Sequence, residues 1–138
     1  MSTIKDKNLA TIGQQEVDWA ARQMKVLEEI KTEFSSSKPL NGLNIGACMH
    51  VTKETANLML TLKAAGANVA LCASNPLSTK DSVAAYLSEN DIEVHAVHGV
   101  SNDDFFKHLN SVLDTKPDIT MDDGCLLYTS PSPRDTRE

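Results

Sequence analysis

The chain has 138 residues, 41% of them hydrophobic, which is enough for one domain with one core and too little for two complete domains. Its formal net charge is −6, from 13 basic and 19 acidic residues, and no basic run is present, which argues against nucleic acid and anionic membranes as partners. The expected ligand is a small molecule. Residues 1–8 lack the apolar segment of a signal peptide, and no apolar stretch approaches membrane-spanning length, so we expect a cytoplasmic location.

The first predicted element is a long helix over residues 14–34, one face of which carries Trp19, Gln23, Val26, Leu27 and Ile30. A Ser- and Pro-rich segment then ends it. Strands and helices alternate from there on: strand 43–49, helix 52–65, strand 68–73, helix 79–89, strand 93–97, helix 102–113 and strand 119–121. Strands separated by such helices imply right-handed βαβ crossovers. The predicted fold is therefore α/β, an open parallel sheet of the Rossmann or flavodoxin type preceded by a long helix.

Local signals mark the helix ends. Ser78 with Asp81 and Ser101 with Asp104 each offer a capping hydroxyl and a carboxylate three residues later. Gly66 occupies the usual position after a helix C-terminus. Because these signals agree with the alternating pattern, they strengthen the fold prediction.

Cysteines and histidines give no metal-binding pattern. Cys48 and Cys72 fall in apolar, strand-like runs, and we interpret them as reduced core residues. His95, His98 and His108 have no partners at metal-ligand spacing, which favours surface or core roles for them.

Polar residues follow every predicted strand: His50, Thr52 and Glu54, then Ser74–Asn75–Pro76, then His98–Gly99, then Asp122–Asp123–Gly124. Ligands of open α/β sheets bind at the carboxyl ends of the strands, so this rim suits a polar small molecule. His50 is a candidate acid or base there. A histidine that merely caps a strand fits about equally well, as does a Glu54 that only faces the helix dipole. The Asn-Pro and Asp-Asp-Gly segments are by default turns.

Three segments together resemble the S-adenosyl-L-homocysteine hydrolase family: residues 39–56, containing Cys-Met-His-Val-Thr-Lys-Glu-Thr-Ala, residues 75–81, Asn-Pro-Leu-Ser-Thr-Lys-Asp, and residues 118–124, Asp-Ile-Thr-Met-Asp-Asp-Gly. Their order and spacing also match. The resemblance covers residues 4–124, which correspond to the N-terminal part of that family's substrate-binding domain.

The resemblance implies roles for four residues. His50 would transfer a proton near the adenosine 5′ carbon, with Asp123 beside it as substrate-binding and acid/base partner. Thr52 and Glu54 would bind adenosine, the carboxylate accepting a hydrogen bond from the adenine amino group. A histidine and a carboxylate in different environments can divide proton donation and acceptance near neutral pH. The family uses bound NAD to oxidise the ribose 3′ hydroxyl, so that homocysteine is eliminated and water adds.

Two departures limit the resemblance. Lys80 stands where the family commonly has Gln, which affects substrate contacts near Ser78 and Thr79. The match stops after Gly124, and residues 125–138 resemble a translated sequencing-library adapter, so we expect a non-native, disordered tail there. The domains are then 1–124 and 125–138. No residue of this fragment is expected to bind NAD.

The predicted protein is thus a truncated adenosylhomocysteinase that is inactive alone. A homo-oligomer is expected of the full-length enzyme. The alternative is a non-enzymatic small-ligand-binding or receiver-like α/β module. A receiver domain, however, requires acidic residues after its first and third strands, where this chain has His50 and His98.

Overall fold

A computed structural model describes residues 2–122, which form an α/β fold around four parallel strands. A short 3₁₀ helix at Lys7–Leu9 comes first. The helices and strands then follow in this order: α1 Ala10–Ala21, α2 Lys25–Ser37, β1 Asn44–Cys48, α3 Lys53–Ala64, β2 Asn68–Cys72, α4 Asp81–Glu89, β3 Glu93–His95, α5 Asn102–Leu113 and β4 Ile119–Asp122. The predicted fold class is confirmed, and the predicted strands and the helices between them are present within about two residues. The expected tail, 125–138, lies outside the described residues.

The strand order is β3-β2-β1-β4, with every pair parallel. The chain moves outward from β1 to β3 and then returns to place β4 on the other side of β1. This is the Rossmann order, not the flavodoxin order, and its direction reverses between β1 and β4. Cys48, at the end of β1, pairs with Cys72 of β2 on one side and with Asp122 of β4 on the other.

Helices cover both faces of the sheet, which explains why β1 and β2 are apolar almost throughout. On one face Ala47 and Leu71 belong to the larger core, which also contains residues of α1, α3 and α4. On the other face Cys48 and Cys72 pack with Leu109 of α5. Both cysteines are fully buried and in no disulfide, which agrees with their predicted role in the core.

The prediction of one long helix over residues 14–34 is wrong, because the chain turns between α1 and α2. Gln23 and Met24 donate backbone hydrogen bonds to Ala20 and Ala21, and Met24 leaves the helical conformation at φ −117° and ψ 58°. The turn lets α1 pack on α3 and α4 while α2 packs on α3 alone. The face expected to be buried is largely exposed, with Trp19 at 55% and Val26 at 72%.

The N-terminal segment extends the sheet beyond β3. Thr3 forms a parallel bridge with His95, donating to Val94 O at 2.8 Å and accepting from Ala96 N at 2.9 Å. The His95 ring is buried, with Nδ1 3.1 Å from Thr3 Oγ1 and Nε2 2.8 Å from Glu93 Oε2. His95 therefore has a core role, one of the two roles, surface or core, that the sequence favoured. No helix within residues 2–122 is long and apolar enough to cross a membrane.

Two of the three predicted cap signals are confirmed. Ser101 caps α5 by accepting from the Asp104 N–H, and Gly66 follows α3 with a φ of +100°, a conformation that glycine adopts without strain. The Ser78 prediction is wrong. The N-cap of α4 is Lys80, which makes no side-chain cap hydrogen bond, and the Ser78 hydroxyl is used inside the preceding turn.

Candidate functional site

The direction reversal between β1 and β4 places a crevice at the carboxyl ends of these two strands. His50 lies two residues beyond the end of β1, and Asp122 is the last residue of the neighbouring β4. The strands that lead to His50 and Asp123 are therefore adjacent, as expected. Asp123 itself lies outside the described residues, so its distance from His50 stays a prediction.

The His50 ring is exposed and is held by the loop after β2. Its Nδ1 lies 3.2 Å from Ser74 Oγ, and no described residue bonds its Nε2. Ser74 Oγ is in turn 3.5 Å from Ser78 Oγ. A hydroxyl on one ring nitrogen orients the imidazole and leaves the other nitrogen available to a ligand.

The partner of His50 was missed from the sequence, which placed Ser74 on the rim without assigning it a contact. A signal was present in the strand register. Because Cys48 pairs with Cys72, the residues two positions further along, His50 and Ser74, continue the same register. Recognising this required knowing that β1 and β2 are neighbours.

The turn after β2 is tied internally and to the loop that carries His50. Asn75 Oδ1 accepts from the Leu77 N–H at 2.8 Å, and Ser78 Oγ accepts from the Asn75 N–H at 3.1 Å, so the predicted turn is present. Val51, fully buried, donates to Ser78 O at 2.8 Å and accepts from Lys80 N at 2.9 Å. These backbone bonds fix the position of the His-Val-Thr segment relative to α4.

Thr52 and Glu54 lie at the N-terminus of α3. Thr52 is the N-cap, and its Oγ1 accepts from the Thr55 N–H at 3.3 Å. Glu54, in the first turn, is 58% exposed and 3.8 Å from the Lys53 ammonium. The carboxylate therefore faces solvent with little competition from protein groups, since an exposed pair at this distance contributes at most about 1 kcal/mol.

Glu54 stands between two cavities. The larger one, about 770 Å³, is an apolar groove between α2 and α3 lined by Gln23, Met24, Lys25, Val26, Leu27, Ile30, Glu54, Thr55 and Leu58. The smaller one, about 180 Å³, is polar and lies between the N-termini of α3 and α4, lined by Glu16, Thr52, Lys53, Glu54, Lys80 and Val83. The carboxylate is thus accessible from both sides.

A second feature missed from the sequence is an ion pair in the polar cavity. Lys80 Nζ lies 3.4 Å from Glu16 Oε2, and the other carboxylate oxygen of Glu16 accepts a hydrogen bond from Ser82. Glu16 and Lys80 are 64 positions apart, on α1 and immediately before α4. Nothing local in the sequence connects them.

Of the other histidines and cysteines near the sheet, His98 lies further along the same rim and the rest lie in the core. His98 is exposed, and its backbone N–H donates to Asp81. His108 is buried, which lowers its pKa, and the nearby His95 acts in the same direction. The Cys48 thiol, burial and the Asp122 charge raise the pKa of Cys72. Within residues 2–122 no three His, Cys, Asp or Glu side chains form a group suited to a metal ion.

The loop between β1 and α3 is also unsuited to NAD. Dinucleotide-binding loops at this position need glycines so that backbone N–H groups approach the pyrophosphate. Here the loop is residues 49–52, without glycine and with Val51 fully buried. This loop therefore does not fit the cofactor.

The strand order, the crevice and the polar rim define an α/β small-ligand domain of the Rossmann type. They do not support the receiver-like alternative, because the sheet has a different order and its first strand is followed by a histidine.

Comparison with known proteins gives the family. The family model for S-adenosyl-L-homocysteine hydrolase matches residues 1–129, so the chain belongs to this family.

Similar proteins include three adenosylhomocysteinases. That of Thermosynechococcus vestitus is 50% identical over 123 residues, 88% of this chain and 29% of the relative. That of Aquifex aeolicus is 48% identical over 92% of this chain and 31% of its own length. The enzyme of Sulfolobus acidocaldarius is 48% identical over 88% of this chain and 29% of its own length. The chain therefore spans about 30% of the length of the relatives it matches.

Proposed function

We propose that this chain supplies the nucleoside-binding side of an adenosylhomocysteinase, which reversibly hydrolyses S-adenosyl-L-homocysteine to adenosine and L-homocysteine. The observation that carries the proposal is the arrangement at the end of β1. His50 is oriented by Ser74 at the crevice, and Thr52 and Glu54 follow on the first turn of α3. Family membership supports the same assignment.

In this proposal the four residues contact different parts of the nucleoside. Glu54 accepts from the adenine amino group, and Thr52 contacts the nucleoside from the helix cap. His50, with its Nε2 toward the crevice, transfers a proton near the ribose 5′ carbon, and Asp123 follows the neighbouring strand as its partner. Positioned acid and base groups of this kind contribute about 10²- to 10⁴-fold in rate.

The cofactor belongs to another part of the protein. NAD, when bound, supplies the reversible oxidation of the ribose, and we place its site outside residues 2–122, since the loop after β1 does not fit it. We further propose a cytoplasmic location and a homo-oligomeric full-length enzyme. Because cofactors carry chemistry that side chains cannot replace, the 138-residue chain alone is expected to be inactive. Homocysteine release by purified chain, free of host enzyme, would contradict this.

A chimera tests the proposal directly. Residues 2–124 of this chain replace the matching segment of the Thermosynechococcus vestitus enzyme, which is 50% identical over the matched region. We expect the chimera to release adenosine from S-adenosyl-L-homocysteine. In it, Glu54→Ala should raise the Kd for adenosine about tenfold with a smaller change in kcat, because its contact is equal in ground and transition states.

A matched control is Glu29→Ala, which removes an exposed glutamate of α2 that lines neither cavity. It should leave adenosine affinity unchanged. A folded chimera without activity, or equal effects of the two glutamate variants, would refute the assigned role of this segment.

A further inference from the structure

The hydroxyl groups of Ser74 and Ser78 form a chain that ends on the His50 ring. Ser74 Oγ lies 3.2 Å from His50 Nδ1 and 3.5 Å from Ser78 Oγ. Ser78 Oγ in turn lies 3.0 Å from the carbonyl oxygen of Asn75. Within residues 2–122 the Ser74 hydroxyl forms no third hydrogen bond. Because a hydroxyl has a single proton to donate, the direction of one bond in this chain decides the direction of the next.

The backbone of the rim turn decides where the Ser78 proton points. The Asn75 N–H donates to Ser78 Oγ at 3.1 Å and occupies one of its two lone pairs. The Asn75 carbonyl oxygen is closer to Ser78 Oγ than Ser74 Oγ is, at 3.0 Å against 3.5 Å, and the shorter distance is the better hydrogen bond. The Ser78 proton therefore goes to the Asn75 carbonyl. The second lone pair of Ser78 Oγ is left to accept from the Ser74 hydroxyl.

Ser78 is held in this position by its own backbone. Its N–H donates to the Asn75 carbonyl at 3.2 Å, and its carbonyl accepts from the N–H of Val51, the residue after His50, at 2.8 Å. Val51 is fully buried. The hydroxyl chain and the histidine are therefore tied to the same backbone, so the separation of Ser78 from His50 is fixed.

We infer that Ser78 is a positioning residue that acts through Ser74 and sets the tautomer of His50. Ser78 accepts the Ser74 proton, Ser74 Oγ accepts from His50 Nδ1–H, and the neutral ring keeps a bare lone pair on Nε2. The catalytic consequence rests on the proposed function. Neutral His50 takes up a proton from a ligand at Nε2 and returns it from the same nitrogen, while Nδ1–H stays bonded to Ser74. The opposite tautomer has no lone pair on Nε2 with which to accept.

The tautomer is measured directly in the 138-residue chain, without a ligand. Long-range proton–nitrogen NMR spectra of histidine-labelled chain distinguish the two neutral forms, recorded at about pH 8.5, where ordinary imidazoles are neutral. The His50 signals are those that His50→Asn removes. The Nδ1–H form should predominate in the unaltered chain. Ser78→Ala releases the Ser74 proton to point at Nδ1, so the ratio of Nδ1–H to Nε2–H should fall about tenfold, the scale of one hydrogen bond.

Three further variants keep the result interpretable. Ser88→Ala is the matched control, because Ser88 also donates to a carbonyl three residues earlier, that of Ala85 at 2.8 Å, but lies near the other end of α4. It should leave the His50 ratio unchanged. Ser78→Thr retains the hydroxyl and should retain the ratio. If Ser78→Ala does not fold, as judged by amide shift dispersion, Ser78→Cys gives the same comparison, because a thiol is a weak donor and acceptor.

The outcomes separate this inference from the proposed function. A predominant Nε2–H form in the unaltered chain would overturn the inference, as would a ratio unchanged in Ser78→Ala or changed equally in Ser88→Ala. These results involve no ligand and leave the proposed function standing, whereas a folded chimera without activity refutes the proposed function and leaves the tautomer as measured. In an active chimera, Ser78→Ala should lower kcat about two- to tenfold and Ser78→Thr should not. An unchanged kcat in Ser78→Ala would overturn the catalytic consequence.

Discussion

Two residue pairs at the carboxyl ends of β1 and β2 lie only two positions apart along the chain and differ in burial. Cys48 and Cys72 pair across β1 and β2, are fully buried, and pack against α5. His50 and Ser74 continue this register just past the strand ends, and there the ring is exposed and hydrogen-bonded at 3.2 Å. The inner pair contributes packing, whereas the outer pair meets solvent.

The difference extends to acid–base behaviour. The Cys48 thiol and burial raise the pKa of Cys72, which keeps this thiol protonated and unreactive. The His50 ring is exposed and contacts a single hydroxyl, so it is accessible to a ligand. At the carboxyl end of this sheet, side chains in the same register therefore change from buried to solvent-accessible within two residues.

The largest expected effect is on the outer pair. In the chimera, His50→Asn should lower kcat about 10²- to 10⁴-fold with little change in adenosine Kd, because proton transfer is needed only on the way to the transition state. Steady-state kinetics and direct binding measurements check this. The matched control is His98→Asn, an exposed histidine of the same rim, which should retain activity. A fully active His50→Asn would return the histidine to a capping role.

The next effect is on the interior. Leu71 is fully buried in β2. Leu71→Ala should lower the free energy of unfolding by about 2–5 kcal/mol, because buried apolar surface is lost and a cavity remains. Urea unfolding of the chain measures it. Leu77→Ala, at a position 69% exposed in the rim turn, should cost less than about 0.5 kcal/mol. Similar losses in both would mean that the rim turn is as tightly packed as the sheet.

Ser74→Ala should affect the rim and leave the core unchanged. The substitution removes the hydrogen bond by which Ser74 orients the His50 ring, so kcat in the chimera should fall about two- to tenfold. The urea midpoint should hardly move, because Ser74 is part-exposed. Ser111→Ala, which removes an exposed hydroxyl of α5, serves as the control and should change neither quantity. An unchanged kcat would separate Ser74 from the site.

The smallest effect concerns pH and the buried side of the sheet. Burial lowers the pKa of His108 below its ordinary value near 6.5, and the nearby His95 adds to this while Asp104 opposes it. The unfolded chain therefore binds this proton first, so stability is full above about pH 6.5 and decreases as the pH falls toward the folded-state pKa. His108→Gln should flatten this decrease in urea midpoints measured from pH 8 to 5. An equally steep decrease would assign it to other groups.

Much of the fold was predictable because local and periodic signals coincided. The apolar run of β1 and the Ser101 cap of α5 placed these elements within one residue. The break in the helix at Met24 was not predictable, because helical periodicity continues across it without glycine or proline. Exposure of Val26 on α2 was equally hidden, because amphipathic spacing identifies a face without identifying what covers it.

The site was predictable in its residue types but not in its contacts. His50, Thr52 and Glu54 follow from one motif at a strand end, whereas the partners Ser74 and Glu16 depend on which strands and helices are neighbours. The Ser78 cap failed for a related reason, because its hydroxyl had a closer partner in the turn. Tertiary pairings of this kind leave no local trace in a single sequence.

The bridge between Thr3 and His95 has a consequence for self-association. An uncovered edge strand is a template on which another chain can add, and here the N-terminal segment occupies the outer side of β3. Removing the first four residues should therefore expose the outer side of β3 and promote edge-to-edge aggregation there.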